Sequence, residues 1–167
     1  RGIIAAGLTP SVLNNIEFIS IATTGNAQDF GDLTQARRGG AKGQSSNSTR
    51  MVFYGGQTPT AVDTIDYVTI ATTGNATDFG GDMAWAGNGV SCSNNIRTVS
   101  STNRTPAATA DLQAGFIASR GNYVEYGDLS AANDSGGSIS TSDSTRGIFG
   151  MKTPAATNIM EYISMTT

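Results

Sequence analysis

Histidine is missing altogether from this 167-residue chain. The commonest general base and the commonest metal ligand are therefore both absent, which argues against nucleophiles activated by histidine. Cys92 stands alone, so no disulfide can close within the chain. Charged residues make up only 14%, and the lysines are Lys42 and Lys152 alone. With a net charge of −3 and a pI near 4.7, the chain carries no basic footprint for nucleic acid. No apolar run nears the ~18 residues that a membrane-spanning helix needs, and no signal-peptide pattern opens the chain. From a start at Arg1 without an initiator Met, a processed product or an excerpt of a longer chain is expected. Apolar residues at a 3.6-residue period are lacking too, so helical architectures are excluded.

What is present is Gly, at 21 copies, with Thr, Ser, Asn and Ala, a composition of turns and strands. The run "IATTGNAQDFGD" begins at Ile21, and "IATTGNATDFGGD" follows 49 residues later at Ile70. A catalytic motif is written once per site, whereas a stacking unit is written again for each unit stacked. Arg1, Arg50, Arg97 and Arg146 mark the period, at spacings of 49, 47 and 49. Each opens a short run: "RGIIAAG", "RMVFYGG", "RTVSSTN" and "RGIFGMK". Pro10, Pro59, Pro106 and Pro154, each after a threonine, mark a recurring loop between strands. A second set of runs follows ("IEFISI", "IDYVTI", "LQAGFI", "MEYISM"), three of them alternating as half-buried strands do. Then come a Gly-Asn turn, an aromatic residue (Phe30, Phe79 or Tyr126) and a Gly-Asp bend. The Gly/Ser/Asn-rich stretches 34–49, 84–96 and 130–145 lie inside the period and are expected to add one strand each.

About four short strands per 47–49 residues is the pattern of propeller blades. The expectation is one all-β repeat domain over 1–167, with repeats 1–49, 50–96, 97–145 and a partial 146–167. The chain enters after the first strand of blade one and stops before the last strand of blade four. A compact four-bladed ring, two chains sharing a larger ring, and part of a longer fibre subunit are the three closures left open. Unpaired sheet edges at the ends of an open array invite another chain, so self-association is expected.

A Gly-Gly strand (Gly55, Gly56), the "IDY" strand (Ile65, Asp66, Tyr67), the aromatic-x-x-Leu element (Phe30 to Leu33) and Arg37 together resemble the kelch blade. The wording "TIDYVTIATTGNATDFGGD", with "STR" before the next copy, resembles kelch-like repeat proteins of tailed bacteriophages, marine and cyanobacterial phages in particular. That resemblance implies a non-enzymatic virion structural protein in an extracellular particle: a fibre, tail or capsid decoration that attaches to the host surface or assembles with other virion proteins. It implies no cofactor. The alternative is a lectin-like propeller, secreted or at a phage or bacterial surface, that binds host glycan.

Candidate sites are few. Asp29/Asp32, Asp78/Asp82 and Glu125/Asp128 recur in the aromatic-Gly-Asp element and could offer oxygen ligands to Ca²⁺. Their repetition, and the altered spacing that Gly81 introduces, favour a turn-capping role instead. Glu17, Asp66 and Glu161 occupy matching places, where pairing with the recurring arginines or exposure to solvent is expected. Trp85, the sole tryptophan, lies in the unshared segment "MAWAGNGVSC" with Asn88. Together they would suit a sugar ring by stacking and hydrogen bonding, unless the indole fills a gap in the core.

Overall fold

A computed structural model of the chain describes residues 1–39, 44–87, 89–103, 107–133, 139–150 and 158–166. Every element among them is a strand, and every pairing is antiparallel. Four sheets follow one another along the chain. The first holds β1 (Gly2–Leu8), β2 (Val12–Ile19) and β3 (Gln28–Asp32). The second runs β4 (Gln44–Ser46), β5 (Arg50–Tyr54), β8 (Thr64–Thr69) and β9 (Thr77–Asp82), with a hairpin of β6 (Gln57–Thr58) and β7 (Thr60–Ala61) inserted after β5. The third is a meander of β10 (Ser91–Ser93), β11 (Arg97–Asn103), β12 (Ala108–Phe116) and β13 (Val124–Asn133). The fourth holds β14 (Ile139–Ser142), β15 (Arg146–Gly150) and β16 (Met160–Ser164). The expected extra strand in each Gly/Ser/Asn-rich stretch is therefore present, as β4, β10 and β14. Pro10 lies between β1 and β2, and Pro59 turns the small hairpin; Pro106 and Pro154 lie outside the described residues.

The core lies between sheets rather than within any one of them. Because successive side chains of a strand point to opposite faces, each sheet has a forward and a backward face. Ile3, Ala5, Ile16, Phe30 and Leu33 of the first sheet meet Phe53 and Val68 of the second. On the other face of the second sheet Val52, Tyr54, Ile65, Phe79 and Met83 meet Ile117 and Tyr123 of the third. Val90, Cys92, Val99, Leu112, Ala114 and Leu129 of the third then cover Phe149 and Met165 of the fourth. Three junctions, one recipe.

Variation in the recipe is compensated locally. The third repeat has Ser100 and Gly115 where the second has Phe53 and Val68 on its backward face. The lost volume is restored by Tyr123, in the place of Ala76, whose ring packs 5.5 Å from Tyr54 and 6.4 Å from Phe79, centroid to centroid. A Cβ on Gly115 would stand 2.1 Å from that ring.

Two details differ from the sequence reading. The Gly55–Gly56 pair is not in a strand: it follows β5 with φ of 65° and 114°, and the Gly56 N–H turns away to the Gly87 carbonyl (2.9 Å). The additional residue of the second repeat is Gly80, not Gly81. Gly80 takes φ of 77° and bulges out, while Gly81 keeps the place of Gly31 immediately before the aspartate.

Gly115→Val is expected to destabilise the protein by about 1–3 kcal/mol through overpacking. Adding Tyr123→Ala should recover much of that loss, whereas Tyr123→Ala alone leaves a cavity and is itself destabilising. Urea denaturation of the two single variants and the double variant measures the coupling.

Candidate functional site

The polar residues with the most defined surroundings lie at the junctions. The Gly-Asn turns of the second and third repeats grip the aromatic-Gly-Asp strand of the repeat before each. Gly74 N–H donates to the Phe30 carbonyl (2.7 Å), Ala76 N–H to the Asp32 carbonyl (2.7 Å), and Asn75 Oδ1 accepts from Asp32 N–H (3.1 Å). One repeat on, Tyr123 N–H donates to the Asp82 carbonyl (2.9 Å) and Asn122 Oδ1 accepts from Asp82 N–H (3.1 Å). A Cβ on Gly31 or Gly81 would come within 2.5 or 2.3 Å of the facing turn's backbone, so the strand needs glycine there.

These contacts give the recurring carboxylates a place. Asp32 and Asp82 contribute backbone groups to the grip, and the Asp78 side chain accepts from Gly80 N–H (2.5 Å), capping the bulge. Asp29, Glu125 and Asp128 are exposed. Among the described residues, no group of three or more His, Cys, Asp or Glu side chains is placed to hold a metal ion.

A second device joins β8, β12 and β16 of the second, third and fourth sheets to the sheet before each. Asp66 accepts from Thr34 N–H (3.3 Å) and Thr34 Oγ1 (2.5 Å). Gln113 Oε1 accepts from Ala84 N–H (2.7 Å), and Glu161 accepts from Ser130 N–H (2.9 Å) and the Ser130 hydroxyl. Asp66 is fully buried and pairs with equally buried Arg37, Nη2 to Oδ2 at 3.0 Å. This corrects the expected pairing of Asp66 and Glu161 with the recurring arginines. Burial lowers the Arg37 pKa from its ordinary value, and the Asp66 charge and hydrogen bond oppose that shift. Where Arg37 gives way to Gly87 in the next repeat, its partner becomes neutral Gln113.

The recurring arginines instead lie over aromatic rings, and two of them, Arg1 and Arg50, reach carbonyls across the junction. Arg1 sits 4.6 Å from the Phe18 centroid and donates to Ile70 O (2.8 Å). Arg50 sits 4.3 Å from Tyr67 and donates to Ile117 O (3.0 Å) and Ala118 O (2.8 Å). Before each of three of these arginines an Asx turn caps the chain. Oδ1 of Asn47, Asn94 or Asp143 accepts from the N–H of Arg50 (2.8 Å), Arg97 (2.7 Å) or Arg146 (2.6 Å). The hydrogen bonds from Arg146 and Thr145 hold the Asp143 carboxyl below its ordinary 3.8.

Trp85 is half exposed (50%), so it does not fill the core. Its loop is tethered from beneath: Gln113 Nε2 donates to Trp85 O (3.4 Å) while Gln113 Oε1 holds Ala84. Asn88, its proposed companion, lies outside the described residues. The sequence reading did not single out a cleft of about 210 Å³ lined by Arg97, Phe116, Arg120, Asn122 and Tyr126. The signal was available, since Arg120 stands where the other copies of the "TTGN" turn have Thr24 and Thr73. Cys92 is buried, and burial pushes its thiol up to about 12, which makes it an inert packing residue at neutral pH.

No protein-family model matches this chain, and no curated protein matches it either.

Asp66→Asn leaves the Arg37 guanidinium buried without a counter-charge and is expected to cost about 3–5 kcal/mol in urea denaturation. Asp143→Asn should preserve its turn, as Asn47 and Asn94 do, while changing the pH response. A carboxyl with a depressed folded pKa adds stability above its unfolded value, and that stability is lost as pH falls through the folded value. On acidification below 3.8, wild type should therefore lose more stability than Asp143→Asn, measured by thermal melts across pH.

Proposed function

We propose that the four sheets are blades of a kelch-like β-propeller, and that the chain is a non-enzymatic structural protein of a tailed-phage virion, a fibre, tail or capsid decoration. The supporting observation is the junction itself, an apolar packing of one sheet's forward face on the next sheet's backward face that occurs three times. Arg37, Asp66 and Gln113, all fully buried, serve these contacts. Such a body holds its outer loops on a rigid frame, which suits attachment to a host surface or assembly with other virion proteins. The particle context rests on the resemblance carried by "TIDYVTIATTGNATDFGGD".

The lectin reading is favoured by one observation, the half-exposed Trp85 on a loop anchored through Gln113. An indole on an anchored backbone offers a stacking platform whose loop need not be ordered on binding.

Antibodies raised against the purified chain are expected to label the particles in immuno-electron microscopy of tailed phages that carry the sequence, and a glycan array is expected to stay blank. Absence from the particles overturns the virion reading. A glycan-array signal lost on Trp85→Ala establishes the lectin in its stead.

A further inference from the structure

Each internal junction joins a forward face to a backward face, and the chain ends with one of each uncovered. On the second sheet the forward face presents Val52, Ile65 and Tyr67, and the backward face Phe53, Val68 and Ile70, all packed into junctions. The matching forward residues of the fourth sheet are Ile148, Met160 and Tyr162, and all three are exposed, Tyr162 at 69%. The matching backward residues of the first sheet are Ile4, Ile19 and Ile21, and these are exposed as well. Ile4 shows 56% of its surface, against 1% for Phe53 at the same place one repeat on.

We propose that copies of this chain associate head to tail, the forward face of the fourth sheet of one copy covering the backward face of the first sheet of the next. The occupant is a second copy because the internal junctions already show what each face packs against, and the same chain carries both halves. The polar contacts agree. Arg146 lies 5.4 Å from the Tyr162 centroid, as Arg50 lies over Tyr67. Arg1 and Arg50 each donate across their junctions to a carbonyl, that of Ile70 or Ile117, and the matching carbonyl on the first sheet is that of Ile21. In the proposed contact Ile21 O is thus the acceptor open to Arg146, by the pattern of the first two junctions; at the third, Asn94 Nδ2 takes that place by donating to Met165 O (3.3 Å). Glu17, opposite Ile4 in the β1–β2 register and at the place of Asp66 and Glu161, lies exposed on the same backward face. A contact between two different surfaces is heterologous, so it closes into a ring or continues as a filament. It concerns these 167 residues, rests on their internal junctions and two uncovered faces, and stands whichever functional reading holds.

The test is the mass of the purified chain by light scattering across concentration, with Ile4→Asp and Tyr162→Asp blocking opposite ends. Wild type is expected to grow from one chain mass toward multiples as concentration rises. Each variant alone should stay at one chain mass, while an equimolar mixture forms a dimer through its one intact pair of faces. Both substitutions are at exposed positions, and unchanged thermal melts confirm folding. Arg146→Gln, which keeps the apolar faces intact, should weaken wild-type association several-fold. A wild type that stays at one chain mass at every concentration overturns the proposal. So does either aspartate variant associating by itself, which would mean like faces pairing, or association that survives both substitutions.

Discussion

A sheet of three or four short strands cannot hide both of its apolar faces, and everything else in this molecule follows from that. Val52 and Phe53 are adjacent in sequence, both are buried, and they are buried against different neighbours. Alternation along a strand forces this arrangement, so no sheet in the series is stable by its own packing. Stability is then close to a sum over junctions, as in other stacked repeats. The apolar contact supplies most of the driving force, at about 1.5–3 kcal/mol for each large side chain fully buried. The hydrogen bonds set the register. The Gly-Asn turn meets two carbonyls and one N–H of the preceding strand, so a slip of a single residue would break all three of these bonds.

What persists from one junction to the next is volume and charge rather than particular letters. Tyr123 can replace Ala76 because Gly115 and Ser100 have given up the space that Val68 and Phe53 fill. Gln113 can replace Asp66 because Gly87 has given up the cation. Each exchange involves residues from separate segments that meet only across or along a junction. A single substitution in either set would leave a cavity, overpack the junction or strand a buried charge, at a cost of about 1–5 kcal/mol.

The repeat, its period and the positions of nearly all its strands were legible in the sequence, because strand alternation and turn residues are local signals. The extra strand of each Gly/Ser/Asn-rich stretch was legible only from its place in the period, as "QSS" and "SCS" have little strand character of their own. Partners across a junction were not legible. Arg37 and Asp66 are 29 residues apart with nothing local to join them, while Arg50 and Asp66 looked like the natural pair because both recur. The recurring arginine instead lies over an aromatic ring, from where Arg1 and Arg50 also reach a carbonyl. The candidate site was half legible: the unshared segment drew notice to Trp85, but only coordinates reveal that the loop is held from below.

That anchor connects the two themes of the molecule. Gln113 stands at the position that carries a carboxylate in the other repeats, yet as an amide it both accepts and donates. Its Oε1 keeps the junction contact to Ala84, and its Nε2 is freed to hold the Trp85 carbonyl, which no carboxylate could do. The change that removed a buried charge from the second junction therefore also fixed the backbone beneath the only exposed indole. Drift in the core and individuality at the surface arise here from the same residue, which is how a stack of near-identical sheets can acquire one distinctive loop without weakening its packing.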